Sequence, residues 1–563
     1  MNNSNDYIYE NLKFRSEIFK TSKIQFKDEN DLLLMAKNER AVSYAKKIFL
    51  ALFIMIIFFF INIFFNLLNI SFNNPYEIEK TKTVYNDRGK IIERNGVIIA
   101  TNLPTYDFYI DTRKVLNKKT LREKVSKIFT DKTERFINYV FSKNHYILIH
   151  NNLKQVEIDL LKKIGDPGIS LEKSQKRIYP QHNLFSHSTG FMSKFYKPKS
   201  KLEKNLNNKL VNGENLQLTM DITVQTIVHE ELTKGMERYN ANSALAIVMN
   251  VENGEILSMV SLPDFDPNYP EKIGKFSENN LVTEARYEMG STLKIFNAAL
   301  AFELESNFEN KVFDVEFPYQ ITEEKKIKDE IKNEKELHFN DIFIKSSNVG
   351  SIRLIESIGF EKQRDFFKKL GVLDDTELEG LKSVSNTVPK YWNDTASKFI
   401  SFGYGISMSP LSLTTTFATL VNGGYKIQPT ILKKKDNPKT RILKGNTSSK
   451  VNDLLFKIVE NGTGIKARVD GLSVGGKTGT SKKLINGYYS DKEIITSFIG
   501  IFPLESPKYL TFVLFDEPKN SFLSEPEYYG GNTAAPIFSN IVKRISPILI
   551  KENYLEQLVK SKL

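Results

Sequence analysis

The sequence predicts an α/β (α+β) fold, a mostly antiparallel sheet flanked by helices, behind an N-terminal transmembrane helix and a small α+β domain. Three observations carry this. The stretch Ile48 to Leu68 is uncharged, apolar all round a helix, and about long enough to cross a bilayer. Past residue 216, β-prone runs come in pairs: Ala244 to Asn250 and Glu255 to Ser261 flank a Glu-Asn-Gly turn, and Ile494 to Phe502 and Tyr509 to Phe515 flank a Pro-containing loop. Helical stretches lie among them, at Ser291 to Phe302 and Ala535 to Ile550, with Pro547 expected to shorten the second.

Taken in order, residues 1–45 are polar and of mixed charge and read as a mobile tail. Residues 46–70 form the anchor. Lys37, Arg40, Lys46 and Lys47 precede it, and Pro75, Glu77 and Glu79 follow. The positive-inside rule therefore puts the N-terminus in the cytoplasm and the rest outside. Asn62, Asn66 and Asn69 recur on one helical face, either to meet another transmembrane helix or to be hydrated near the outer headgroups. Residues 76–215 read as the small domain: Asn95-Gly96 signals a hairpin, and Tyr106 to Ile110 adds another strand. Lys194 to Asn215 reads as a linker or surface segment. Residues 216–550 form the large domain and residues 551–563 a C-terminal tail.

The 563 residues leave room for about three or four domains and a large core. The net charge of +12 is read first as a Lys-rich solvated surface, and second as attraction to lipid headgroups or acidic peptides; no nucleic-acid partner is expected. There is no cysteine, which excludes disulfides, thiol catalysis and thiolate metal sites. The six histidines show no metal-ligand pattern, so neither a metal nor a cofactor is expected. The charged runs Glu323 to Glu336 and Lys433 to Lys450 read as solvated loops or helix faces.

The chemistry is carried by three ordered motifs: Ser291-Thr-Leu-Lys294, Ser346-Ser347-Asn348 and Lys477-Thr478-Gly479. A serine hydroxyl is a poor nucleophile until a base takes its proton, and a lysine one turn along a helix can do so if kept partly neutral. Ser291 falls at a helix N-terminus, where the dipole favours developing negative charge. Gly475, Gly476 and Gly479 clear side chains where a substrate must lie close to a strand. Alone, Ser-x-x-Lys means little, since it recurs at Ser43–Lys46 and Ser170–Lys173; the ordered trio is the signal. Two decoys overlap the third motif. Gly471-Leu-Ser-Val-Gly475 fits a nucleophile elbow, and Gly471 to Thr478 fits a phosphate-binding loop. Neither is preceded by an apolar strand and followed by an uninterrupted helix, as those sites require.

This trio is the signature of penicillin-binding proteins and serine β-lactamases. The chain resembles class B penicillin-binding proteins over roughly residues 82–540. Arg88-Gly89, Arg94-Asn95-Gly96 with Ala100, Arg177-Ile-Tyr-Pro180 and Gly190 are similar to the family's pedestal, or dimerisation, signatures. Leu218-Thr-Met-Asp221, Pro263-Asp-Phe-Asp-Pro-Asn268, Phe402-Gly-Tyr-Gly405, Asn422-Gly-Gly424, Tyr528-Tyr-Gly-Gly531 and Ala534-Ala-Pro536 resemble its penicillin-binding transpeptidase domain. Within the family it looks more like the cell-division FtsI branch than the elongation branch. Met289 stands where many members have proline, and Ser412 where glutamine is frequent.

The resemblance implies a serine transpeptidase/β-lactamase-like fold and a D,D-transpeptidase that cross-links peptidoglycan stem peptides ending in D-Ala-D-Ala during septal wall synthesis. It implies Ser291 as nucleophile, Lys294 as base, Ser346 as proton relay, and Asn348 holding the stem amide and orienting Lys294. Lys477, Thr478 and Thr480 would face the terminal carboxylate along Gly479, and the backbone N–H groups of Ser291 and Thr480 would form the oxyanion hole. Burial and the charge of Lys477 are expected to lower the basicity of Lys294. β-Lactams are the implied covalent inhibitors. A membrane-embedded, lipid-linked glycan polymerase and other divisome proteins are the implied partners, and the place is the cell inner membrane with the catalytic domain in the periplasm. The other readings are an elongation-type transpeptidase, a β-lactam sensor or hydrolase, and a non-catalytic divisome scaffold.

Overall fold

A computed structural model describes residues 43–44, 46–65, 87–304, 307–329, 334–434, 436–485, 487–519 and 529–562, with side chains as far as Lys551 and without that of Asp491. The chain divides into two compact units, residues 1–82 and 83–563. In the first, helix α1 (Lys46–Phe65) has a mean hydropathy of 3.0 and is long and apolar enough to span a bilayer. It suits a single-pass membrane anchor. Most of the tail, Asn66, Asn69 and the acidic residues after the span lie outside the described residues.

The second unit opens on a small sheet. Strand β1 (Ile91–Ile92) turns through Asn95-Gly96 into β2 (Ile98–Asp111). Helices α2 (Lys118–Ile128) and α3 (Glu134–Ser142), strand β3 (Tyr146–His150), helix α4 (Gln155–Ile164) and strand β4 (Ile169–Ile178) follow. Both β3 and β4 pair antiparallel with β2. Phe108, Val125, Phe129, Val140 and Leu161 close the core beneath it. The separate strand expected at Tyr106 to Ile110 is the far half of β2. Pro104 does not interrupt it, because there β2 has β4 as its one neighbour and a missing N–H breaks no second ladder.

The stretch expected to be a linker is instead built in. Helices α5 (Lys201–Asn205) and α6 (Asn207–Val211) bury Leu202, Glu203 and Leu210. Glu203 is fully buried and paired twice, with Arg88 at 2.6 Å and Arg177 at 2.7 Å, and Tyr179 donates its hydroxyl to the same carboxylate. A Lys- and Asn-rich composition hides this, since a carboxylate goes inside only when cations from elsewhere in the chain meet it. Strand β5 (Leu216–Gln217) joins β1 in parallel.

From α7 (Ile222–Arg238) onward the chain forms three layers. The central sheet takes β6 (Ser243–Asn250), β7 (Ile256–Leu262), β10 (Gly475–Ile485), β11 (Tyr488–Phe502) and β12 (Tyr509–Asp516) in the antiparallel order β10-β11-β12-β6-β7. Strand alternation sends Ala244, Ala246 and Val248 to one face, under α7 and the last helix, α12 (Ala534–Lys562). It sends Leu245, Ile247 and Met249 to the other, against α8 (Lys294–Glu303), α10 (Pro410–Val421) and α11 (Gly445–Asn461). Helix α8 is buried from Lys294 to Phe302, and apart from Lys294 and Asn297 those buried residues are apolar. Two shorter elements matter below: strand β8 (Tyr287–Glu288), which pairs with β9 (Ser407–Met408), and helix α9 (Asn348–Ile358). Helix α12 runs through Pro547 and is not shortened there. The phosphate-loop reading fails on geometry, because Gly475 to Thr478 lie within β10 and lead into no helix.

Candidate functional site

The three motifs arrive from three elements. Ser291 lies in a 3₁₀ turn, Gly290–Leu293, that runs straight into α8, so Lys294 follows one turn later. Ser346 ends the loop before α9, where Ser347 is the N-cap and Asn348 the first helical residue. Lys477, Thr478, Gly479 and Thr480 lie on β10, an edge strand of the central sheet.

Side chains from the first two motifs and Lys477 form one hydrogen-bonded chain. Lys294 Nζ donates to Asn348 Oδ1 at 2.7 Å, to the Ser346 carbonyl at 2.6 Å and to Ser346 Oγ at 3.2 Å. Lys477 Nζ approaches the same Ser346 Oγ at 3.1 Å and also donates to the Thr478 carbonyl and hydroxyl. The Ser346 hydroxyl thus bridges two buried amines. Burial, and then the charge of Lys294, hold the Lys477 amine well below the ordinary lysine range. The pair therefore gives up a proton more readily than two solvated lysines would.

Ser346 adopts φ +59°, a left-handed conformation unusual for serine. Such a backbone costs about 1–3 kcal/mol and persists where neighbours impose it. Here it directs both the carbonyl and the hydroxyl of one residue at Lys294.

The nucleophile turn presses against β10 through glycine. A Cβ on Gly290, at φ +53°, would stand 2.3 Å from the Thr480 carbonyl oxygen. No other residue lets the backbone of Ser291 come so near that of Thr480. Ser291 itself is half-buried, and among the described residues its hydroxyl makes no hydrogen bond. Thr480 Oγ1 accepts the Gly530 N–H at 3.1 Å, and Thr478 shares a hydroxyl contact with Thr463 at 2.8 Å. Gly479 sits between them, opposite Ser497. Met289 and Ser412, the departures from family habit, are both buried; Met289 contributes its carbonyl to Thr292, and Ser412 Oγ accepts from Asn386.

One residue here lies inside a run that reads as solvated. Asp329 accepts the backbone N–H groups of Asn348 at 2.6 Å and Val349 at 3.1 Å, and receives the Ser347 hydroxyl. It caps α9 from outside, and one carboxylate among several in a run of mixed charge gives no local signal of that role.

Comparison with known proteins gives the family. Residues 244–543 match the penicillin binding protein transpeptidase domain, and residues 83–216 the penicillin-binding protein dimerisation domain. The chain belongs to the penicillin-binding protein transpeptidase family, as a class B, FtsI-like member. It is 31% identical over 482 residues to the "Probable peptidoglycan D,D-transpeptidase FtsI" of Caulobacter vibrioides, covering 82% of this chain and 81% of that one. It is 29% identical to the "Probable peptidoglycan D,D-transpeptidase PenA" of Neisseria meningitidis, covering 83% and 85%. Identity is also 29% to the stage V sporulation protein D of Bacillus subtilis, covering 82% and 78%. The fold matches penicillin binding protein 3 of Mycobacterium tuberculosis, solved with aztreonam, at a TM-score of 0.65 and 21% identity over 83% of this chain and 96% of that one.

Proposed function

We propose that this protein is a peptidoglycan D,D-transpeptidase of septal wall synthesis, cross-linking stem peptides that end in D-Ala-D-Ala through an acyl-serine intermediate. The observation that carries this is the chain Lys294–Ser346–Lys477, whose buried amines converge on one hydroxyl beside the Ser291 turn. Ser291 Oγ attacks the penultimate carbonyl and its proton passes to Lys294 in the neutral form. The oxyanion accepts the backbone N–H groups of Ser291 and Thr480, where losing one donor typically costs about 2.7–4 kcal/mol. Ser346 relays a proton to the departing D-Ala amine as the C–N bond breaks. Asn348 holds Lys294 and the stem amide, while Lys477, Thr478 and Thr480 receive the terminal carboxylate along Gly479. An amine from a second stem then attacks the ester, forms the cross-link and frees Ser291.

The same acylation makes β-lactams covalent inhibitors. We assign residues 76–215 to the pedestal, 216–550 to the transpeptidase domain, 1–45 to a cytoplasmic tail and 551–563 to a C-terminal tail. The catalytic unit faces the periplasm from the inner membrane, and a lipid-linked glycan polymerase and other divisome proteins are its partners. Labelling with a fluorescent penicillin tests the reading. Wild-type protein takes the label and Ser291→Ala does not; label retained by the variant removes Ser291 from its role.

A further inference from the structure

The charge of this chain is not spread evenly. From Lys118 at the start of α2 to Ile164 at the end of α4 stand 11 Lys and Arg against five Asp and Glu. That is a net +6, half of the chain's +12, in 47 residues, and the other 516 share the rest. A bias toward lysine across the whole sequence would not collect in one small region.

The fold turns this excess into one face. Val125 of α2, Val140 of α3 and Leu161 of α4 share a core with Phe108 and Ile110 of β2. The three helices therefore cover one side of the sheet, and their opposite sides form a single outer layer. Helical spacing puts Lys119, Lys127, Arg135 and Lys163 on those outer sides, with Lys124 and Lys162 flanking. All six are exposed, and among the described residues none makes an ion pair or hydrogen bond. Lys118 and Arg122 do have partners, Asn144 and Asn138 at 3.0 Å each, but these amides leave the charges uncompensated. The exposed acids of the three helices are Glu123, Glu134 and Asp159, too few to balance the layer.

Apolar groups stand exposed among these cations. Val156 and Leu160 lie one turn apart on the outer side of α4, beside Lys163, and are 68% and 40% exposed. Leu116, 80% exposed, is tied just past the far end of that helix, where its N–H donates to Asp166. Lysines around exposed valine and leucine suit a lipid headgroup layer, in which the cations meet phosphates and the apolar tips pass below them. The length of chain favours the same partner. The 21 residues between Phe65 and Asp87 span at most about 75 Å, so the bilayer that holds α1 is always within reach. A soluble acidic protein has to be recruited at its own concentration, whereas a tethered surface binds as an intramolecular partner.

We infer that the outer face of α2, α3 and α4 binds anionic phospholipid headgroups of the membrane in which α1 is anchored. The inference rests on the reading of α1 as a membrane anchor and is independent of the chemistry at Ser291.

The chain has no cysteine, so Leu160→Cys gives a single position for an environment-sensitive fluorophore. Full-length protein is assembled into nanodiscs of phosphatidylcholine alone, or of an equal mixture with phosphatidylglycerol. Emission should rise roughly twofold or more and shift to the blue in the anionic discs. Reversing four charges together (K119E, K127E, R135E and K163E) should abolish the rise, since each cation is worth roughly fivefold in binding. So should NaCl at about 0.5 M, which shortens the screening length to roughly 4 Å. The reversed variant should keep its melting temperature and its penicillin label, because these side chains touch neither core nor cleft. Equal emission in both discs overturns the inference, and so does a rise that survives the four reversals. Equal emission together with retention of the wild-type protein on immobilised polyglutamate gives the face to an acidic protein instead. Failure to enter discs of either kind refutes the anchor, and the inference with it.

Discussion

The Asp329 carboxylate lies across the start of the helix that carries Asn348, accepting that residue's backbone N–H at 2.6 Å. It also receives the hydroxyl of Ser347, the N-cap, so one side chain orders both the loop and the first turn of α9. Since Asn348 Oδ1 accepts from Lys294, Asp329 acts on the amine chain through the backbone. Asp329→Ala is therefore expected to slow penicillin acylation about tenfold, with a cap loss of about 0.5–2 kcal/mol. Stopped-flow labelling and thermal melting check the two effects. An unchanged acylation rate would show that Asn348 is held well enough without it.

Ser346 should show a conflict between stability and reactivity. Its φ of +59° is strained for serine and free for glycine. Ser346→Gly is expected to raise the melting temperature, by relief of about 1 kcal/mol, while acylation by penicillin falls at least a hundredfold. A variant that is both slower and less stable would mean that the hydroxyl bridge between the lysines contributes more to folding than the backbone costs.

Glu203 ties Arg88 to Arg177 with no exposed surface. Glu203→Ala leaves two buried guanidinium groups without their shared anion, a loss of about 3–5 kcal/mol. Urea unfolding followed by tyrosine fluorescence should show the midpoint shift. A loss below about 1 kcal/mol would mean that water reaches the arginines.

His187 supplies a pH dependence. Burial pushes its imidazole down to about 4, although Nε2 contacts the Ser277 carbonyl at 2.7 Å and Phe265 packs edge-on at 5.4 Å. Between about 4 and the unfolded value near 6.5, the unfolded chain binds the proton and the folded one does not. Stability from this group is thus present above pH ~6.5 and is lost as pH falls toward ~4, by about 3 kcal/mol in all. His187→Gln should flatten the unfolding free energy across that window. An unaltered slope would assign the acid sensitivity to other groups.

What could be read from the sequence was whatever is local. Two hairpins of the central sheet, β6–β7 and β11–β12, follow from apolar runs and their turns, and α1 from its uncharged length, whereas the β10–β11 pairing was not read from the sequence. The three motif stretches meet in space, and each carries its own signal in a few adjacent residues. What stayed hidden depends on pairing at a distance. Glu203 looked solvated because its cations lie 115 and 26 residues earlier in the chain. Asp329 looked solvated because the N–H groups it caps belong to a helix 19 and 20 residues on. The left-handed turn at Ser346 has no local sequence mark, since serine is not a residue that favours it.

The Glu203 knot also sets an order of events during synthesis. Arg88 leaves the ribosome 115 residues before its anion, which at typical elongation rates is on the order of ten seconds. Until then, neither arginine can enter a dry interior, and the first sheet has no reason to settle around them. The small domain is thus kept soft until α5 has emerged, and its closure waits on a residue far downstream of its first strand.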